Sequence, residues 1–292
     1  MIDKENIQHF FEHGFVILKG CIEKEECQRY LREVIEPVVD KFSINLNDPE
    51  SWKLENTGAF VTDEGSVEEV PFGIMLRNID GTDPIDHPVE KEWPAVMSSK
   101  KLIQFLDYLH GCKKNWRWLH SENIGWIHMR FPITKDDTDF RPSWHVDGGH
   151  FQLHRLDSLE QSCIVLPMIQ DVNENGGNTL VIPGSHHKIM KHLKDAEGKH
   201  YHDLKRISEE MASNLNENEV VTTSPCHAGD ILVLHPFVVH AASGNFVDNI
   251  TRITFNLGTR WREDYPLLDH KSDHKLSALE VDIINECNKI LK

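Results

Sequence analysis

The sequence has no long apolar run and no excess of positive charge. Its hydrophobic stretches fall well short of the roughly 20 residues that a membrane-spanning helix needs. Acidic residues outnumber basic ones by 47 to 31, which gives a formal net charge of −16. This balance disfavours nucleic acid and anionic membranes as partners, although a local pocket on an acidic protein can still be basic. We therefore expect neither a nucleic-acid partner nor a membrane partner.

Paired cysteines and targeting segments are also lacking. The six cysteines are scattered at Cys21, Cys27, Cys112, Cys163, Cys226 and Cys287, without a Cys-x-x-Cys pair. The sequence therefore predicts no cysteine zinc site. The opening MIDKENIQHFFEHG is too polar and acidic for a secretory signal or a transit peptide. We expect a cytoplasmic protein whose thiols stay reduced.

The N-terminal region reads as largely helical. Apolar residues recur at helical spacing over residues 4–12, 23–42 and 98–110, with Pro37 as a possible kink in the second of these. Residues 15–19, FVILK, favour a strand. Residues 43–97 are rich in Asp, Pro and Gly and indicate loop with short strands.

From residue 123 to 261 the pattern changes to short β-rich runs. Examples are NIGWIHMRF, SCIVLPMI, DILVLH and ITRITFNLGT, separated by turn sequences such as NENGGN and SGN. A polar helical insertion over about 186–216 and a last helix over about 274–290 complete the pattern. We predict a single domain over residues 1–292, with a helical N-terminal region (residues 1–120), a β core over about 121–261 and the C-terminal helix. The fold class is mainly β with flanking α-helices, a sandwich or barrel.

The stretch SWHVDGGHF, residues 143–151, carries the first chemical signal. On an extended strand His145 and Asp147 lie two residues apart and face the same side, so both can reach one metal ion. A second histidine must come from a distant strand, and DILVLHPFVVHAASGN offers His235 and His240. Two histidines and one carboxylate suit ferrous iron in oxygenases and leave three coordination positions open.

An arginine follows on the next predicted strand, in ITRITFNL. Two open positions on such an iron can take a chelating 2-oxoacid and the third can take O2. The far carboxylate of that acid needs a cation, and the planar guanidinium of Arg252 is the best partner. Thr254 lies two residues on, on the same strand face, and can add a hydroxyl hydrogen bond.

These segments together carry a family resemblance. HVD (145–147), ENGGNTLVIPGSH (174–186), GDILVLHPFVVHAASGN (229–245) and Arg252 resemble the phytanoyl-CoA dioxygenase family of iron(II)/2-oxoglutarate oxygenases. FFEHGFVILKGCIEKEEC, near the start, resembles that family's opening. The match runs with gaps over most of the chain, and the ordered set of motifs is far more specific than HxD alone. The resemblance implies a double-stranded β-helix core, that is, a cupin-like jelly roll.

The resemblance also implies the roles of single residues. The iron ligands are then His145, Asp147 and His240. His240 is preferred to His235 because the family's ligand precedes a small-residue turn, here HAASG. Arg252 binds the distal carboxylate of 2-oxoglutarate, and the implied cofactors are Fe(II), 2-oxoglutarate and O2, with ascorbate as a possible support.

Two departures from the family pattern concern the cosubstrate. Arg252 lies twelve residues after His240, one more than is usual, and Ala242 stands where a serine is common. Because Asp147 is present, halogenation is disfavoured, since halogenating relatives lose that carboxylate.

The pocket beyond the ligands is predicted from strand alternation. In NIGWIHMRFP, Trp126, His128 and Arg130 share one face, and relatives use this strand for cosubstrate contacts. We expect Trp126 to help bind the cofactors. The expected substrate residues are His128, Arg130, Trp144, His150 and Arg77. Trp144 also suits the core, and Arg130 also suits a surface ion pair.

His186 and His187 follow the PGS turn and are interpreted as loop residues rather than ligands.

The predicted function is that of an Fe(II)/2-oxoglutarate-dependent dioxygenase. It oxidises a C–H bond of a small molecule, by hydroxylation or by desaturation or oxidative cyclisation, and releases succinate and CO2. The alternatives are an oxygenase acting on an acyl-CoA or a protein side chain, and a non-catalytic ligand-binding member of the fold. Substrate identity and oligomeric state do not follow from the sequence.

Overall fold

The helices lie in the N-terminal region of the chain, in one insertion and at its end. A computed structural model describes residues 3–40, 43–52, 60–62, 65–70, 73–77, 98–119, 126–133, 140–148, 153–160, 162–194, 198–216, 219–223, 226–268 and 275–288. Its α-helices are α1 Lys4–His13, α2 Lys24–Tyr30, α3 Glu36–Asp40, α4 Lys100–His110, α5 Ser185–Leu193, α6 Tyr201–Ser213 and α7 Ala278–Asn288. Short 3-10 turns lie at Pro49–Trp52 and Lys113–Asn115. None of these described helices combines the length and the apolar composition needed to cross a bilayer.

The helix predicted over residues 23–42 is interrupted. A π-helical turn, Leu31–Ile35, separates α2 from α3, and Pro37 lies in the first turn of α3. Proline has no N–H to donate and its ring crowds the carbonyl four residues earlier, so a regular α-helix cannot continue through it. The wider turn just before Pro37 accommodates this. The predicted insertion over 186–216 likewise divides into α5 and α6.

The strands in the described part of the chain form two antiparallel sheets. They are β1 Phe15–Leu18, β2 Phe60–Thr62, β3 Gly65–Val70, β4 Gly73–Arg77, β5 Trp116–Trp118, β6 Trp126–Arg130, β7 Ile164–Pro167, β8 Thr179–Val181, β9 Val221–Thr222, β10 Ile231–Leu234, β11 His240–Ala242 and β12 Arg252–Trp261. The main sheet has the order β1-β10-β7-β12-β6-β4-β3-β2, with β5 also paired to β12. The small sheet has the order β11-β8-β9. The mainly β class with flanking helices is confirmed.

The main sheet extends beyond the segment predicted for the β core. From residues before 121 come β1, which pairs with β10, β4, which pairs with β6, and β5, which pairs with β12. The N-terminal region is therefore only partly a helical flank. That the whole chain forms one domain stays a prediction, although one hydrophobic cluster contains residues from Phe10 to Ile283.

Strands β7 and β10 are buried on both faces. Along β10, Ile231 and Val233 pack into the cluster shared with the helices, whereas Leu232 and Leu234 pack into a second cluster with Val181 of the small sheet. Alternate residues of a strand point to opposite faces, so a strand covered on both sides must be apolar at every position. This is why the sequence shows continuous apolar runs there. The sheets and their covering helices hold the strand ends that build the site.

Candidate metal centre and cosubstrate pocket

Two histidines from distant parts of the chain lie side by side. The backbones of His145 and His240 form an isolated antiparallel bridge, each N–H donating to the other residue's carbonyl at 3.0 Å. Their imidazole rings are 4.5 Å apart between centroids. His240 begins β11, whose pairing with β8 fixes its direction. The two hydrogen bonds therefore set the separation of the two rings.

Asp147 completes a set of three donor atoms. Its Oδ1 lies 3.3 Å from His145 Nε2 and 3.9 Å from His240 Nε2. Val146, between the two site residues, points the other way and is fully buried in the core. The i, i+2 spacing thus places His145 and Asp147 on one side, as predicted, and anchors the segment through its middle residue.

Backbone carbonyls set the tautomer of each histidine. The Nδ1 of His145 lies 2.7 Å from the Ser143 carbonyl, and the Nδ1 of His240 lies 3.2 Å from the Val238 carbonyl. A carbonyl can only accept, so each Nδ1 carries a proton and Nε2 is the atom through which each ring can bind a metal. Both Nε2 atoms face the carboxylate of Asp147. Metal-binding histidines are held in this way.

Two side chains that the sequence analysis did not single out hold Asp147. Asn256 donates from Nδ2 to Asp147 Oδ2 at 2.9 Å, which leaves Oδ1 to face the imidazoles. His154 Nε2 lies 3.0 Å from the Asp147 carbonyl oxygen. Asn256 stands two residues after Thr254 on β12, so strand alternation from Arg252 could have identified it. His154 carried no local signal.

The charges of the three groups depend on one another. For Asp147, burial would raise the pKa, but the hydrogen bonds from His145 and Asn256 and the charges of the two histidines together outweigh it and hold the pKa well below its usual range. Burial, and then the charge of His145, lowers the pKa of His240 to about 4. For His145, burial would lower the pKa, but the hydrogen bond to Asp147, the charge of Asp147 and the hydrogen bond to the Ser143 carbonyl together outweigh it and raise the pKa. Asp147 is therefore ionised and His240 neutral at neutral pH, the forms in which both bind a metal.

The donor set fits a divalent iron ion. Metal–ligand bonds of about 2.1 Å place neighbouring ligand atoms about 3 Å apart, close to the 3.3 Å between His145 Nε2 and Asp147 Oδ1. One ligand atom from each of the three residues lies within 4.8 Å of the other two. Two imidazoles and one carboxylate are the ligands that non-haem iron oxygenases use.

A cavity of about 130 Å³ opens beside these donors, between the two sheets. Thr179, Ala241 and Ala242 line it from the small sheet, and the main sheet contributes residues of β6, β7 and β12. Its described lining contains one acidic residue, Asp147, against three arginines, which are Arg130, Arg141 and Arg252. The pocket is therefore basic on a strongly acidic chain.

Arg252 lines this cavity. It is 4% exposed, and its Nη2 lies 3.4 Å from Thr179 Oγ1. Among the described residues it has no carboxylate partner. Burial, and then the charge of Arg130, lowers the pKa of Arg252 to about 9, so the group is still cationic at neutral pH. A buried cation of this kind is stabilised by an anion that enters the cavity.

The remaining predicted residues divide into three groups. His128 and Arg130 both line the cavity, and in the sheet they pair with Thr254 and Arg252 respectively. Trp144 instead packs against the core and is not among the described lining residues. For Trp126 and Arg77 the structure describes the backbone: Trp126 pairs with Asn256 in β12, and Arg77 ends β4. His150 lies outside the described residues.

His235, the alternative ligand, lies elsewhere. It follows β10 directly, is fully buried, and its Nε2 lies 3.6 Å from Asp282 of α7. Its side chain is on the helix side of the sheet and does not line the cavity. The structure therefore brings His240, and not His235, to His145 and Asp147.

Two imidazoles and a carboxylate beside a basic cavity, on this type of antiparallel fold, are typical of the class of non-haem iron enzymes that use 2-oxoglutarate. Comparison with known families agrees. The chain belongs to the phytanoyl-CoA dioxygenase (PhyH) family, whose sequence model matches residues 10–253. It is accordingly an Fe(II)/2-oxoglutarate-dependent oxygenase. No curated protein matches the sequence.

Solved structures share the fold at low identity. The epimerase SnoN in complex with Fe3+, alpha-ketoglutarate and nogalamycin RO is 15% identical, with 94% of each chain covered and a TM-score of 0.51. EvdO2 from Micromonospora carbonacea var. aurantiaca, complexed with 2-oxoglutarate, is 14% identical, with 90% of this chain and 92% of that chain covered and a TM-score of 0.51. HygX from Streptomyces hygroscopicus, with nickel, 2-oxoglutarate and hygromycin B bound, is 14% identical, with 89% of this chain and 87% of that chain covered and a TM-score of 0.50. These similarities establish the cupin-like double-stranded β-helix.

Proposed function

We propose that His145, Asp147 and His240 hold Fe(II) and that Arg252 holds the distal carboxylate of 2-oxoglutarate, so that the enzyme oxidises a C–H bond of a small molecule. The observation that carries the proposal is the convergence of His145 Nε2, His240 Nε2 and Asp147 Oδ1 on one side of a basic cavity. All three ligands of the triad are present, which argues against a non-catalytic member of the fold.

The chain's own residues position and shield the reactants. Arg252 can form two parallel hydrogen bonds to a carboxylate, and its burial strengthens them because water is excluded. Thr254 adds a buried hydroxyl on the same face, whose Oγ1 has no hydrogen-bond partner among the described residues. Asn256 keeps the Asp147 carboxylate turned towards the histidines. When bound, the iron supplies the oxidising power, with O2 and 2-oxoglutarate as co-reactants that yield succinate and CO2.

A small-molecule substrate is supported by the fold relatives. SnoN and HygX were crystallised with nogalamycin RO and hygromycin B respectively, which are small molecules. Hydroxylation, desaturation and oxidative cyclisation all begin at the same C–H bond, and the placement of the substrate selects among them. A cytoplasmic location and the absence of a nucleic-acid partner stay predictions from the sequence.

An anaerobic titration tests the proposal. Fe(II) and then 2-oxoglutarate are added to metal-free protein, and the visible spectrum is recorded for the wild type, His240→Ala and Arg252→Ala. We expect a weak charge-transfer band in the wild type that His240→Ala abolishes. Arg252→Ala should need at least about 30-fold more 2-oxoglutarate to develop the band. The distal carboxylate of 2-oxoglutarate would then be buried without a cation, which costs about 2 kcal/mol or more.

Matched controls use residues of the same type far from the cavity. His227→Ala removes an exposed imidazole, and Arg206→Ala removes a guanidinium that is ion-paired on the surface of α6. Both should keep the wild-type band and its dependence on 2-oxoglutarate. A wild-type protein that binds Fe(II) without developing the band would refute the proposed cosubstrate.

A further inference from the structure

A second cluster of histidines and carboxylates lies between α5 and α7. His186 and His187 are in the first turn of α5, and Asp282 and Glu286 are one turn apart on α7. His235 reaches the same place from the end of β10. We call these five residues the α5–α7 cluster, and it shares no residue with the proposed iron site.

Three residues of this cluster present metal-binding atoms to one another. One such atom from each of His186, His187 and Asp282 lies within 4.8 Å of the other two. The rings of His186 and His187 are 3.9 Å apart between centroids. Two imidazoles and a carboxylate without a thiolate suit a borderline divalent cation better than Ca²⁺ or Mg²⁺, which prefer oxygen ligands throughout.

The hydrogen bond of His186 leaves one nitrogen available. Its Nε2 lies 3.1 Å from the Phe11 carbonyl oxygen and must donate to it, so Nδ1 carries a lone pair. That Nδ1 is buried and has no hydrogen-bond partner among the described residues, in a side chain that is 0% exposed. Burial, and then the charge of His235, lowers the pKa of His186 to about 2, so the ring stays neutral. A buried acceptor without a donor is costly unless a ligand uses it.

His235 has the same tautomer, but its lone pair is already used by a backbone N–H, so it supports the cluster without binding metal. Its Nδ1 accepts from the backbone N–H of Phe237 at 3.2 Å, so its Nε2 carries the proton. That Nε2 lies 3.6 Å from Asp282 Oδ2. A histidine whose N–H faces a carboxylate orients it, as the partners of metal ligands do.

Glu286 and Lys191 complete the surroundings of His187. Glu286 is buried, with Oε2 3.2 Å from His187 Nδ1 and Oε1 3.1 Å from Lys191 Nζ. The Nδ1 of His187 is also buried without a well-aligned hydrogen bond in the described structure. The two carboxylates of α7 therefore compensate the charge of a cation at this position.

We propose that His186 Nδ1, His187 and Asp282 form a second metal site, which takes a divalent transition-metal ion of the Zn²⁺ type. Such an ion joins α7 to α5. The start of α5 is itself bonded to the iron-site strand, because Ser185 Oγ accepts from the backbone N–H of Val239, the residue before His240, at 2.8 Å. The site is structural, since its residues do not line the described cavity.

Zn²⁺ stoichiometry tests this proposal. Full-length, metal-free protein is dialysed against Zn²⁺, and bound metal is measured by elemental analysis. We expect two equivalents in the wild type, one in Asp282→Asn, one in His240→Ala and none in the double variant. Zn²⁺ should raise the Tm of His240→Ala and leave the Tm of the double variant unchanged.

The controls separate the two sites. Asp203→Asn removes an exposed carboxylate from α6 and should keep both equivalents. His187→Ala alters a side chain that is 26% exposed, and it decides the question should Asp282→Asn not fold. Wild-type stoichiometry in His187→Ala and in folded Asp282→Asn would overturn the second site. By contrast, wild-type stoichiometry in His240→Ala would overturn the proposed iron ligands and leave the second site intact.

Discussion

Asn256 offers a direct test of how the Asp147 carboxylate is held. In Asn256→Ala the hydrogen bond from Nδ2 to Asp147 Oδ2, 2.9 Å long, is lost. The carboxylate can then rotate, and either oxygen can face the imidazoles or turn away. Asn256 is half-buried, so water replaces part of the lost contact and the fold should be little affected.

The expected loss of Fe(II) affinity in Asn256→Ala follows from the charge on Asp147. A hydrogen bond to a charged group contributes about 1.5–3 kcal/mol, and each 1.4 kcal/mol or so is a tenfold change in affinity. Loss of a residue that orients a metal ligand costs about 10- to 100-fold in metal affinity, which agrees with that energy. We therefore expect Fe(II) to bind about 10- to 100-fold more weakly in Asn256→Ala.

The assay is an anaerobic Fe(II) titration at saturating 2-oxoglutarate. The Fe(II) concentration that gives half of the charge-transfer band is compared between the wild type and Asn256→Ala. This band reports the iron site alone, so metal bound at the α5–α7 cluster does not contribute. As a control, Asn214→Ala removes an amide that bonds the Glu210 carbonyl at the exposed end of α6.

The refuting result is a half-saturating Fe(II) concentration within about twofold of the wild type for Asn256→Ala. That result would mean that His145 and His240 alone orient Asp147. A large fall in Tm would instead assign Asn256 a role in folding. Our reasoning requires weaker binding with a nearly unchanged Tm.

Three further predictions concern stability. Gly229→Ala should lower the free energy of unfolding in urea by about 3 kcal/mol or more, because φ is +93° and the new Cβ would lie 2.0 Å from the Ile22 carbonyl oxygen. The control Gly20→Ala, at φ +57° with no atom within 4 Å of the new Cβ, should lower it by about 1 kcal/mol. Burial lowers the pKa of His110 to about 4, so the unfolded chain takes up a proton at higher pH than the folded protein does, and stability falls as the pH drops from about 6.5 to 4. In His110→Gln, the dependence of the free energy of unfolding on pH across that window should be weaker by up to about 1.4 kcal/mol per pH unit, as measured by urea unfolding. An unchanged pH dependence would contradict the assignment. Ser277→Ala removes the acceptor for the first turn of α7 and should lower the free energy of unfolding by about 1 kcal/mol; an unchanged urea midpoint would count against this cap.

The local features of the proposed iron site were predictable because they depend on strand geometry alone. His145 and Asp147 share a face because alternate strand residues always do. The same alternation placed Arg252 with Thr254 and His128 with Arg130, and all four line the cavity. Period-two reasoning needs no knowledge of which strands are neighbours, so it works from the sequence.

The choice between His235 and His240 shows where local reasoning stops. Both are buried, they are five residues apart, and both lie in one β-rich run. The turn after β10 sends them to opposite sides of the sheet, His235 towards Asp282 and His240 towards His145. Only the family resemblance favoured His240 at the level of sequence. The backbone bridge between His145 and His240 supplies the physical reason.

The sequence alone determined the β-rich runs after residue 123, the interruption near Pro37, and the types of group proposed to hold iron and an anionic cosubstrate, because each depends on residues close together in the chain. Only the tertiary structure decided that Asn256 holds Asp147, that Thr179 meets Arg252, and that α7 brings Asp282 to His186 and His187. Asn256 and Asp147 are 109 residues apart in the chain, and Thr179 and Arg252 are 73 apart. Such contacts arise from the pairing and packing of whole strands and helices, which no local pattern specifies.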